Sequence, residues 1–178
     1  MRRSQILGFE TIEPLADRRA NRRSIGAVET ASILRGSNAW RYYFTIKEAV
    51  DRSELWYIND PDGALIEFQN NGRWILPFWP HEDVARLACR QMNVVGEANP
   101  MPLDHWIDQV LDVDCRKADC LVALCPSDRQ AEIKTVDEVF ADLANYRKAP
   151  ESYWNQHFSQ DRVFLTQQAR SGPKGKLP

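Results

Sequence analysis

The chain has 178 residues, 43% of them apolar and 27% charged, with six Trp; this is a globular composition and excludes a disordered polypeptide, which lacks the aromatic content to offset ordering entropy. The net charge of −2 divides unevenly: residues 1–35 carry 7 basic and 4 acidic groups, residues 36–148 carry 12 and 19, and residues 149–178 carry 4 and 2. An acidic body between mildly basic ends argues against nucleic acid as the main partner, because phosphate binding needs a basic footprint, and it permits a basic partner instead.

In chain order, Met1 to Glu10 opens with Arg2 and Arg3 but has no apolar segment of the secretory kind, and no later run approaches the roughly 20 apolar residues of a membrane span. The expected compartment is the cytoplasm. Residues 1–23 show no period and hold the cluster Arg18, Arg19, Arg22 and Arg23, a solvated arm or, less economically, a phosphate-binding one. A short helix is expected from Ser24 through Val28 and Ala31 to Leu34, ended by Gly36. Ser37 is placed to cap a second helix through Trp40, Tyr43, Phe44, Lys47 and Val50.

Three strand-like runs follow. Leu55-Trp56-Tyr57-Ile58 leads into the turn Asn59-Asp60-Pro61-Asp62-Gly63. Residues 64–68 come next, then Asn70-Asn71-Gly72, favoured type I′ hairpin chemistry, and Arg73 to Phe78. Pairing in sequence would make these a three-stranded meander. Pro80 suits the start of a helix with Val84, Leu87 and Ala88 inward. Another helix is expected from near Pro102, its apolar positions Leu103, Trp106, Ile107, Val110 and Leu111 forming one stripe. Cys120 to Cys125 reads as a central strand, and residues around Ala131-Glu132-Ile133 as an edge strand. Thr135-Val136-Asp137-Glu138 is a capping box opening a helix with Val136, Val139, Phe140 and Leu143 inward. The last segment holds Tyr153, Trp154, Phe158, Val163, Phe164 and Leu165, and is expected to pack on the body before a tail from Ser171.

The fold class expected is α+β, with a small antiparallel sheet of about five strands, including the meander, packed against helices. Three regions are expected: an N-terminal arm with a short helix (1–35), the α+β core domain (36–148) and a C-terminal extension (149–178). From about residue 40 to residue 143 the order of motifs resembles a bacterial family of domains of unknown function, number 2750. The matching residues are Arg41-Tyr42-Tyr43-Phe44, Leu55-Trp56-Tyr57-Ile58, Asp60 to Gly63, and Ile75-Leu76-Pro77-Phe78-Trp79-Pro80 leading to Ala85. After them come Pro102-Leu103 with Trp106 and Leu111, the strand ending at Pro126, and the helix from Val136 to Leu143. The resemblance implies a domain shape and no catalytic residues; an immunity role is implied only by the toxin genes found near some such proteins.

Asp104, Asp108 and Asp112 recur every four residues, forming an acidic stripe on one helix. Like charges at i, i+4 cost a few tenths of a kcal/mol per pair, so the stripe is either an ordinary solvated face or one turned to a basic partner. Trp79, just past its strand, is a candidate contact residue if partly exposed. His81-Glu82-Asp83 reads as helix-start chemistry, the acids matching the positive end of the helix dipole. Cys115, Cys120 and Cys125 lack the spacing of structural zinc sites, His105 with Asp108 supplies too few ligands, and no Gly-rich phosphate cradle or nucleophile motif occurs. No metal or cofactor is expected. Cys120 and Cys125, an odd number of residues apart in a strand, are expected to face opposite ways. The expected function is a non-enzymatic protein-binding module, in its narrowest form an immunity-type protein neutralising a basic toxin. A carboxylate-dependent enzyme, and a nucleic-acid accessory protein using the N-terminal arginines, remain as alternatives.

Overall fold

The computed structural model describes residues 25–128 and 130–158. The expected arm with Arg18, Arg19, Arg22 and Arg23, the Ser24 cap and residues 159–178 lie outside these. Helix α1 (Ala27–Arg35) starts after Gly26 and stops at Gly36. Ile33 and Leu34 turn inward, whereas Val28 is 80% exposed. In α2 (Asn38–Arg52) the Ser37 hydroxyl accepts from the Trp40 amide at 3.2 Å, as its N-cap chemistry predicts.

The protein is α+β, but its strands pair differently from the expected meander. Strand β1 (Glu54–Asn59) runs antiparallel to β4 (Glu97–Pro102), from Glu54↔Pro102 to Asn59↔Glu97. Pro100 and Pro102 hid β4 in the sequence; on an edge strand their missing N–H groups are tolerated. Gly96 leads into β4, where a Cβ would strike the Asn59 carbonyl oxygen. The Asp60 turn forms as expected, its carboxylate accepting from the amides of Asp62 and Ala64, with Gly63 at φ +84. Residues 64–67, however, form no strand of their own; they meet β1 at the Asn59↔Leu65 bridge and through the Ile66 amide's bond to the Ile58 carbonyl.

The second sheet has the order β2-β3-β5-β6. Strands β2 (Phe68–Asn70) and β3 (Arg73–Phe78) form the expected hairpin, with Asn71 and Gly72 at φ 50 and 82, both positive as type I′ requires. Strand β5 (Leu121–Leu124) lies parallel to β3, so the sheet is mixed and not antiparallel. The intervening chain makes this possible, since a parallel pair needs a long crossover. That crossover holds α3 (Glu82–Met92), β4 and a helical segment. Strand β6 (Ile133–Lys134) closes the sheet antiparallel to β5. The two sheets meet where Trp56 and Trp79 exchange amide-to-carbonyl hydrogen bonds of 2.8 Å each.

The crossover helix starts as α4 (Leu103–His105), widens into a π-helix (Trp106–Cys115) and ends as α5 (Arg116–Ala118). The expected stripe holds at Leu103, Trp106, Val110 and Leu111, while Ile107 is only partly buried and Cys115 is fully buried. Helix α6 (Val136–Lys148) carries the predicted capping box complete, and α7 (Pro150–Phe158) follows. Two cores result. One gathers Leu55, Phe78, Trp106, Leu111 and Leu124 with α2, the π-helix and α6. The other gathers Trp56, Ile58 and Trp79 with α1 and α3. Successive residues Leu55 and Trp56 point to opposite cores, as strand alternation demands. Each fully buried aliphatic side chain contributes about 1.5–3 kcal/mol.

Candidate functional site

The acidic residues singled out from the sequence lie on the outer side of the crossover helix. Asp104, Asp108 and Asp112 are all exposed, while Leu103, Trp106, Val110, Leu111 and Cys115 anchor the opposite side. The three are not equivalent. Arg116 bonds Asp112 at 2.8 Å and reaches Asp137 on α6 at 2.7 Å, so the charge of Asp112 is spent locally. Its guanidinium also lies 5.3 Å above the Phe140 ring. Among the described residues Asp104 and Asp108 have no hydrogen-bond or ion-pair partner. Val113, 47% exposed, completes the outer surface of the π-helix.

Trp79 requires correction. It is 0% exposed and its indole N–H donates to the Pro126 carbonyl at 3.1 Å, so it is a core residue and presents nothing to a partner. Its position after β3 pointed outward in sequence terms; the exchange of backbone bonds with Trp56 prolongs the pairing by one residue and turns the ring into the second core.

Two constellations escaped sequence reasoning. Arg41 is 5% exposed, and its hydrogen-bond partners among the described residues include no carboxylate. Its guanidinium instead donates to the carbonyls of Leu34, Gly36, Cys125 and Gln130 and to the Asn38 side chain, at 2.6–3.2 Å. It thereby fastens the end of α1 to the loop after β5, beneath an open polar cleft of about 480 Å³ lined also by Ser37 and Asp128. Every N–H of Arg41 is engaged, so the cleft receives no free donor from it.

Glu48, on α2, is 8% exposed and is met by Lys47 at 2.9 Å, Arg52 at 2.7 Å and His81 Nε2 at 3.2 Å. Burial opposes its ionisation, but the bonds from His81, Lys47 and Arg52 outweigh it and hold the carboxyl well below the usual range. Both oxygens are occupied, which is the chemistry of a structural ion cluster and not of a general base. His81 therefore links the start of α3 to α2, with Glu82 and Asp83 in the first turn as expected. An i, i+4 spacing between Glu48 and Arg52 was the available signal; nothing in sequence distance announced His81.

All four cysteines are free and buried. Cys120 joins the first core and Cys125 the second, on opposite sides of β5. Among the described residues no group of three or more His, Cys, Asp or Glu is placed to hold a metal ion, and no helix is long and apolar enough to cross a membrane.

The family model described as "Protein of unknown function (DUF2750)" matches residues 42–143. The chain belongs to this family. The DUF2750 segment takes in both sheets, the Glu48 cluster and the acidic side of the π-helix, and leaves out α1, Arg41 and α7. Membership brings no residue roles with it. No curated protein and no solved structure gives a significant match.

Proposed function

We propose that the protein is a non-enzymatic binding module that engages a basic protein through the exposed acidic side of the crossover helix. The supporting observation is that Asp104 and Asp108 stand exposed without a partner among the described residues, on an element anchored by Leu103, Trp106 and Val110. A rigid support of this kind presents charge without the entropic cost of ordering a loop. π-helical turns are energetically poor and recur at functional sites, which agrees with this placement. An immunity-type role, neutralising a basic toxin, is the narrowest form of the reading. The partner is expected to carry clustered Lys or Arg.

The test is association kinetics of the wild type and an Asp104→Lys/Asp108→Lys variant against the protein that co-purifies from the native host. Asp112 is left intact, because replacing it would set a second cation beside Arg116. The variant should fold normally and associate about tenfold more slowly at low salt, through loss of steering. The two rates should converge at high salt, where exposed charges are screened. Equal rates at low salt would leave the acids as a solvated face.

A further inference from the structure

The crossover helix ends at Asp119, whose backbone is left-handed at φ 51. The Asp119 amide donates to the Arg116 carbonyl at 3.3 Å and the Cys120 amide to the Cys115 carbonyl at 2.9 Å. These two bonds define a Schellman ending, in which the side chains at the two outer positions commonly touch as an apolar contact. Here both positions are cysteine. Helix α3 shows the ordinary version of the same turn: Asn93 is left-handed at φ 55, and the Val94 amide donates to the Cys89 carbonyl at 2.9 Å, so cysteine meets valine. Glycine is the usual residue at the left-handed position. Asp119 is held there by Arg73 of β3, which bonds its carboxylate at 2.7 Å and its carbonyl at 3.3 Å.

We propose that Cys115 and Cys120 are a redox-sensitive pair that closes a reversible disulfide across the end of this helix when the protein meets a hydroperoxide. A disulfide needs Cα atoms about 4.4–6.8 Å apart, and a backbone hydrogen bond between the two residues closes the chain on that scale. The two thiols also act on one another, the contact raising Cys115 and lowering Cys120. Cys120, the less enclosed of the two at 3% against 0% exposure, is the attacking group. Cys89 and Cys125 lie in the other core, and burial pushes them up to about 11 and about 12.

The chemistry balances in two steps. The Cys120 thiolate attacks one peroxide oxygen; an S–O bond forms, the O–O bond breaks, and the departing hydroxide takes a proton to become water. The Cys115 sulfur then attacks the sulfenic sulfur; the S–S bond forms, the S–O bond breaks, and the leaving hydroxide takes the Cys115 proton as a second water. Two thiols lose two electrons to one peroxide.

The experiment treats the folded full chain with hydrogen peroxide, then unfolds it and counts thiols by alkylation and intact mass. The count should fall from four to two and return to four with dithiothreitol. Trypsin cuts after Arg116 and Lys117, so the oxidised protein should yield two peptides joined through Cys115 and Cys120, with fragmentation separating Cys120 from Cys125. Cys120→Ser should abolish the joined pair. The wild-type result stands even if that variant fails to fold. Four thiols persisting in the native protein, a link through Cys89 or Cys125, or a sulfinic acid on one cysteine without a link would each overturn the proposal.

Discussion

Glu48 faces inward from α2, and three cationic or polar groups converge on it: Lys47, Arg52 and His81. With its folded pKa held below the ordinary range, the unfolded chain takes up a proton at Glu48 before the folded one does as pH falls. Its stabilising contribution is therefore present above the unfolded value of about 4.3 and is lost as pH falls towards the folded value. In Glu48→Gln this part of the pH dependence should vanish. Urea titrations between neutral pH and pH 3 should show a flatter acid limb for the variant, along with a loss of about 1–3 kcal/mol at pH 7 from poorly satisfied donors. An unchanged acid limb would show that the cluster carries no linkage. Arg41 makes a complementary point at the same scale. A guanidinium has five donors in a fixed fork, and the fold finds an acceptor for each, four of them backbone carbonyls. Lysine could not replace it there.

The π-helix has a readable cause. In an α-helix the residues following Val110 by four and Leu111 by three share their face, which would turn Asp114 to the middle of the apolar stripe. With i→i+5 geometry the residue five after Val110 and four after Leu111 takes that place, and this is Cys115. Cys115 is accordingly 0% exposed and Asp114 sits half-exposed on the flank. Burying an unpaired carboxylate costs several kcal/mol, more than the poorer geometry of a widened helix. Removing the cause should remove the effect. Asp114→Leu is expected to restore i→i+4 hydrogen bonding between residues 106 and 115, visible as changed through-hydrogen-bond couplings by NMR or in a crystal structure. If the i→i+5 pattern persists in that variant, some constraint other than Asp114 holds it.

Across the whole molecule, Trp79 stands where the two sheets and the second core meet. Its backbone exchanges bonds with Trp56, its indole N–H reaches Pro126, and its ring is completely enclosed. Trp79→Ala should cost about 3–5 kcal/mol, measured by urea unfolding with near-ultraviolet and far-ultraviolet circular dichroism in parallel. Both signals should move together, because the residue supports both sheets. A loss below about 1 kcal/mol would mean the site collapses around the gap and that the bridge between the sheets is held elsewhere.

Local chemistry was legible in the sequence wherever it acts between near neighbours. The Ser37 cap, the Thr135-to-Glu138 capping box, the Asp60 turn and the Asn71-Gly72 hairpin all formed, because each depends on side chains a few residues apart. The apolar stripe after Pro102 was legible for the same reason, and so was the family resemblance across residues 42–143. What only the tertiary structure decided involves distance along the chain. Strand β1 prefers β4, 48 residues on at the Glu54↔Pro102 pair, and β3 lies parallel to β5, choices that no local pattern encodes. His81 finds Glu48, Arg41 finds Cys125, and Cys120 meets Cys115 through a turn that needs a left-handed aspartate. Periodicity says which face of an element is buried, but not against what. That second fact is settled by the packing of all elements together, where a buried charge or amide must find its partner wherever the chain brings one.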